Sequence, residues 1–113
     1  MAKEFIYFIK GAESGRIKIG WTRQLWERLA AIRSHSGEGI QLLAHVTGNG
    51  AKLREREARL HRQFKHAKVH NEWFSPDPAL MDGIAKLRNL MSPDDLANYD
   101  FMQANFISDP ERL

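Results

Sequence analysis

The 113-residue chain is predicted to fold as an α+β domain: a small three-stranded antiparallel sheet flanked by helices, with additional C-terminal helices. Three observations carry this. Two short apolar runs, Glu4 to Lys10 and Arg16 to Trp21, stand on either side of a turn-forming segment, which reads as a β-hairpin. A third run, Ile40 to Val46, is set apart from them by a helical stripe. Two start signals, Ser75-Pro76-Asp77-Pro78 and Ser92-Pro93-Asp94-Asp95, each open a helical pattern near the end of the chain.

Glu4 to Lys10 is aromatic and β-branched, as suits a strand covered on both faces. Gly11 to Gly15 supplies the turn, and Arg16 to Trp21 then alternates polar with apolar. Thr22 is the expected N-cap of a helix from Gln24 to about Ser34, with Leu25, Leu29 and Ile32 on one stripe. Ser34 to Gly39 breaks it, and Ile40 to Val46 makes the third strand. Gly48-Asn49-Gly50 leads into a highly charged helix from about Lys52 to His66. Val69 to Phe74 reads as a loop or short extended piece. Asp77 is the expected N-cap of a third helix, with Pro78 at its first position and Leu80, Met81, Ile84, Leu87 and Met91 on its apolar face. A fourth helix holds Leu96, Tyr99 and Met102, and residues past about Phe106 are expected to fray.

Charge is unevenly distributed. Residues 1–72 carry 14 basic and 7 acidic side chains, net +7, whereas residues 73–113 carry 3 basic and 7 acidic, net −4. A basic body with an acidic tail fits a protein that meets a polyanion. The absence of cysteine excludes disulfides and thiolate zinc sites. No membrane span or signal peptide can be written, so a soluble, cytoplasmic protein is expected.

The informative residues are polar ones where the period asks for apolar ones. Leu53, Glu57, Leu60 and Phe64 fall on one helix face, which sets a carboxylate inside an apolar stripe. Such a group is costly unless paired, either with an arginine or with a metal ion. Arg28 lies on the shoulder of the first helical stripe, where it can snorkel or bind Glu57 or a phosphate bidentately. Tyr7 and Lys18 straddle the hairpin turn symmetrically and are expected as cross-strand neighbours on one face.

Taken together, Phe5-Ile6-Tyr7, Lys18-Ile19-Gly20, Arg28 in Trp26-Glu27-Arg28-Leu29, Glu57 in Glu57-Ala58-Arg59-Leu60-His61, and Asn71-Glu72-Trp73-Phe74 resemble the GIY-YIG nuclease superfamily. Within it, the resemblance is to the phage-type DNA-binding branch with Lys-Ile-Gly in place of Tyr-Ile-Gly. It covers roughly residues 4–75 and implies a metal-dependent DNA endonuclease that hydrolyses phosphodiester bonds. By the same resemblance, Tyr7 and Lys18 would stand near the attacking water, Arg28 on the phosphate and Glu57 on a divalent ion, Mg²⁺ or Mn²⁺. A single carboxylate suits such an ion, which keeps several waters and takes phosphate oxygens as ligands. The sequence departs from the superfamily pattern at Phe5, where a glycine is expected, and at Lys18, where the second tyrosine is expected. Asn71 matches a downstream asparagine of the superfamily.

DNA is the expected partner. Arg54, His61 and Lys65 share the helix edge beside Glu57 and, with Asn71, are the expected DNA contacts. A zinc site built on Glu57 and His61 at i, i+4 spacing lacks a third ligand at matched spacing. The alternative to cleavage is a non-cleaving DNA-binding module of the same fold. Residues 1–75 are expected to form the functional module and residues 76–113 a helical appendage of the same domain, through which a homodimer is expected.

Overall fold

Every pairing in the sheet is antiparallel, and the order of its five strands is β3-β1-β2-β5-β4. The computed structural model describes residues 3–102. In chain order the elements are β1 (Glu4–Gly11), β2 (Ile17–Thr22), α1 (Leu25–Ser36), β3 (Ile40–Gly48), α2 (Gly50–Gln63), a 3₁₀ turn (Lys65–Ala67), β4 (Lys68–His70), β5 (Trp73–Phe74), α3 (Pro78–Asn89) and α4 (Pro93–Met102). The α+β class therefore holds, and the expected three-stranded sheet is corrected to five strands. The two additional strands are three and two residues long, too short to display a period, and they form because the free edge of β2 offers them backbone partners. The side chains of Tyr99 and Met102, and the segment expected to fray beyond Phe106, lie outside the described residues.

Alternation along β1 assigns its side chains to two cores. Ile6 and Phe8 pack with Ile17, Ile19, Ala44, Leu53, Phe64, Phe74, Leu80 and Ile84, beneath α2 and α3. Tyr7 and Ile9 pack with Leu25, Leu29, Ile32, Ile40 and Leu42, beneath α1. Both stripes expected from the sequence thus face the sheet, and α3 contributes two fully packed residues to the first core. Met91 lies past the end of α3 and is half-buried.

The helix ends are set by local chemistry. Thr22 remains in β2, where its hydroxyl accepts from Gln24 N at 3.1 Å, and the N-cap of α1 is Gln24 rather than Thr22. Gly37, at φ 75°, ends α1 in the left-handed conformation that glycine adopts without strain. Asp77 caps α3 as expected: its Oδ2 accepts from Ala79 N at 3.0 Å and Leu80 N at 3.2 Å. Its Oδ1 meets His66 Nε2 at 3.0 Å. That bond to His66, with the backbone donors, holds the Asp77 carboxyl below the usual aspartate range.

A depressed folded-state pKa stabilises the protein fully above the ordinary aspartate pKa of about 3.9 and loses that contribution as pH falls. Asp77→Asn keeps a capping oxygen but removes the titration. Its thermal stability should therefore fall less steeply than the wild type's below about pH 4. Parallel melting profiles for the two proteins across that window would count against this account.

Candidate metal and phosphate site

The site forms where the sheet is interrupted. β5 pairs with β2 only at Ile17–Phe74 and Lys18–Trp73. Beyond that point Ile19 N donates to the Glu72 carbonyl at 3.2 Å. The Ile19 carbonyl is met by His61 Nε2 from α2 at 3.0 Å. A backbone carbonyl can only accept, so His61 carries its proton on Nε2 and keeps the lone pair on Nδ1.

Lys18 is 8% exposed, a burial that an ammonium tolerates only with a partner. Its Nζ donates to Glu72 Oε2 at 2.8 Å and lies 5.6 Å from the centre of the Trp73 ring. On α2, Glu57 is half-buried, and Glu57, His61 and Glu72 each bring one potential ligand atom within 4.8 Å of the others. Burial, then the charge of Glu72, pushes the Glu57 carboxyl above the usual range, while His61 and Lys18 oppose the shift.

Tyr7 is fully buried, and its ring lies against the backbone of Gly20, its partner across the β1–β2 ladder. A side chain at position 20 would occupy the space of the phenol. Burial raises the Tyr7 pKa, and the nearby Arg28 guanidinium opposes that rise. The Arg28 guanidinium is the charged neighbour of the Tyr7 hydroxyl, near enough to oppose the rise, although the hydroxyl lacks a partner of good hydrogen-bond geometry. Arg28 is exposed at the mouth of a groove of about 370 Å³ lined by Lys18, Ala31, Ile32, His35, Ser36 and Trp73. Among the described residues, the buried side-chain oxygens without a hydrogen-bond partner are the Tyr7 hydroxyl and Glu57 Oε2. A buried carboxylate oxygen without a protein partner fits a cation ligand.

The sequence matches the T5orf172 domain over residues 4–89. The chain belongs to the T5orf172 domain family. T5orf172 is a phage-associated domain to which a nuclease or DNA-binding role is ascribed. No curated protein and no solved structure matches the chain. The match overturns the resemblance to the GIY-YIG superfamily, from which T5orf172 is a different domain. Phe5 and Lys18, the positions at which the sequence departed from that pattern, had already weakened it. Among the described residues of this T5orf172 chain, no helix is long and apolar enough to cross a membrane.

In this T5orf172 chain Tyr7, Arg28, Glu57 and Lys18 lie within electrostatic reach of one another, but the hairpin pairing differs from that expected. Tyr7 stands opposite Gly20 and Lys18 opposite Ile9. Gly11 N donates to Arg16 O at 2.9 Å, so the hairpin closes one residue later on each strand than turn symmetry implied. The resulting slip is two residues, which preserves the face, so Tyr7 and Lys18 are diagonal neighbours. No ion pair joins Glu57 to Arg28 among the described residues.

Of the expected DNA contacts, His61 lies inside the site, while Lys65 and Asn71 are exposed. Asn71 adopts φ 49° and its Nδ2 donates to His70 Nε2 at 3.0 Å. Arg54 is anchored elsewhere, 3.9 Å from Glu4 and 5.0 Å from the centre of the Trp21 ring. Glu4 itself is 7% exposed and accepts from Trp21 Nε1 at 3.0 Å and Gly50 N at 3.2 Å.

Glu72 is the site residue that sequence reasoning passed over. Its available signal was an acidic residue directly after a turn-favouring asparagine and before two large aromatics.

The orphaned phenol has a measurable consequence. Burying a hydroxyl without a partner costs about 1–3 kcal/mol. Tyr7→Phe should therefore unfold at the same temperature as the wild type or a few degrees higher, while any cleavage rate drops. A clear loss of thermal stability in Tyr7→Phe would show that the hydroxyl is satisfied in solution.

Proposed function

We propose that the protein is a metal-dependent DNA endonuclease that hydrolyses phosphodiester bonds. The observation that carries this reading is the buried, unpartnered Glu57 Oε2 near Lys18, with the Tyr7 hydroxyl and the Arg28 guanidinium close by. Glu57 would hold a divalent ion, Mg²⁺ or Mn²⁺, which when bound withdraws charge from a phosphate oxygen and from the leaving oxygen. Arg28, exposed at the groove, offers a guanidinium for bidentate contact with the phosphate. Tyr7 retains its proton near neutral pH because burial raises its pKa, so its role is to orient the attacking water by a hydrogen bond. Lys18, tied to Glu72, adds positive charge on the same wall. The basic edge of α2, with Lys65 and Asn71 nearby, supplies sequence-independent contacts to the DNA backbone.

Incubation of supercoiled plasmid with the protein and Mg²⁺ or Mn²⁺, with an EDTA control, tests the reading. Nicking that EDTA abolishes is expected. Intact plasmid at high protein concentration with both metals would reject cleavage.

The non-cleaving module is the second reading. It is favoured by the Lys18–Glu72 ion pair of 2.8 Å, which already occupies the ammonium that a substrate phosphate would use. Retention of DNA without cleavage, weakening with salt, would establish it. Nothing among the described residues supports the homodimer expected through residues 76–113, so the single chain is taken as the unit.

A further inference from the structure

We propose that Glu57, His61 and Glu72 form a three-ligand site that selects Mn²⁺ over Mg²⁺, with Glu72 and His61 as ligands beyond the single carboxylate. This deepens the metal-dependent reading above and rests on it. The three side chains bring ligand atoms within 4.8 Å of one another. They come from two separate segments, α2 and the turn just before β5 begins at Trp73.

Two of the three side chains are restrained by other contacts. His61 is held through Nε2 by the Ile19 carbonyl at 3.0 Å, so the tautomer leaves Nδ1 with its lone pair, the arrangement of a metal-binding histidine braced by a backbone carbonyl. Its ring is also fixed edge-on to Phe74, with centroids 5.1 Å apart. Glu72 has one oxygen tied to Lys18 at 2.8 Å and a second to offer. Glu57 has a buried oxygen with no hydrogen-bond partner.

Formal charge points the same way. Two carboxylates and the Lys18 ammonium leave one net negative charge, and a dication turns the cluster positive where an anionic phosphate must approach. An imidazole nitrogen among the ligands fits Mn²⁺ and later first-row dications better than Mg²⁺, which demands oxygen donors in near-ideal octahedral geometry.

Isothermal titration of the full chain with MnCl₂ and, separately, MgCl₂ reads the site without recourse to activity. One Mn²⁺ per chain is expected, bound at least about tenfold more tightly than Mg²⁺. Glu57→Gln, His61→Gln and Glu72→Gln are each expected to weaken Mn²⁺ binding by about tenfold or more. His61→Gln keeps a donor for the Ile19 carbonyl and Glu72→Gln keeps an oxygen to accept from Lys18 Nζ, and circular dichroism on both variants checks that the fold is retained. Mn²⁺ affinity unchanged in both His61→Gln and Glu72→Gln, or Mg²⁺ bound as tightly as Mn²⁺, overturns the site. Plasmid nicking by the same proteins separates the two ideas. Selective Mn²⁺ binding without nicking upholds the three-ligand site and rejects cleavage. Nicking that needs Glu57, with Mn²⁺ binding indifferent to His61 and Glu72, rejects the three-ligand site and upholds cleavage.

Discussion

Glu57→Ala is expected to reduce metal-dependent plasmid nicking by about 100-fold or more, the scale at which loss of one group that stabilises transition-state charge is felt. The same substitution should leave the melting temperature unchanged or raise it. Both outcomes follow from one geometry. The Glu57 carboxylate sits on the apolar stripe of α2 between Leu53 and Leu60, with one buried oxygen unpartnered and its pKa raised by burial and by Glu72. A group in that position opposes folding, since a charge withdrawn from water without a partner is expensive. Removing it relieves the fold and disables the chemistry. Had Glu57 been an ordinary core-edge acid bridged to an arginine, the alanine variant would instead be destabilised and its nicking would decline only in step with the folded fraction. A combined melt and nicking series on Glu57→Ala and Glu57→Gln distinguishes these cases.

Gly20→Ala is expected to be among the most damaging small substitutions in the protein. A Cβ at position 20 would overlap Cζ and Oη of Tyr7. The Tyr7 ring is fully buried and has no free space to enter, so the hairpin must deform. Overpacking of this kind costs about 1–3 kcal/mol, equivalent to a melting-temperature loss of roughly 4–20 °C in a domain of this size. Because the clash is with the phenol itself, cleavage should fall further than stability alone accounts for. Gly83→Ala provides the contrast. Nothing lies within 4 Å of a Cβ there, and it is an exposed position within α3, so alanine should stabilise by about 0.4–1 kcal/mol. If Gly20→Ala and Gly83→Ala melted alike, the close approach of Tyr7 to β2 would be wrong.

Much of this architecture was legible from periodicity and local chemistry. The stripes Leu25, Leu29, Ile32 and Leu53, Glu57, Leu60, Phe64 do face the sheet, because a helix on a sheet must bury one face whatever its partner. Asp77 before Pro78 caps α3 as read, since an aspartate oxygen and a residue lacking an N–H leave few alternatives. The hairpin register was less accessible. Turn symmetry placed Tyr7 opposite Lys18, whereas the Gly11–Arg16 closure shifts the pairing by two residues, and only the conserved parity kept the two on one face. Val69 to Phe74 reads equally as a loop or a short extended piece, and the strands Lys68–His70 and Trp73–Phe74 form there because the open edge of β2 decides their pairing, a tertiary fact that three residues of sequence do not encode. Glu72 was lost for the same reason. It lies 15 positions from Glu57 with no periodic relation to it, and it joins the site only once β5 has docked.

The hairpin that carries Glu72 is held to β2 by a short ladder, Ile17–Phe74 and Lys18–Trp73, extended by the bond from Ile19 N to the Glu72 carbonyl, with Val69 46% exposed on its outer strand. In the language of native-state exchange, it should open as a small cooperative unit far below the free energy of global unfolding, while β1, flanked on both sides, exchanges only when the whole domain does. A cation shared between α2 and this hairpin would close that unit, so amide protection at Lys68 to Phe74 would rise on metal addition with β1 unaffected. The short fifth strand thus separates the lifetime of the site from the lifetime of the fold.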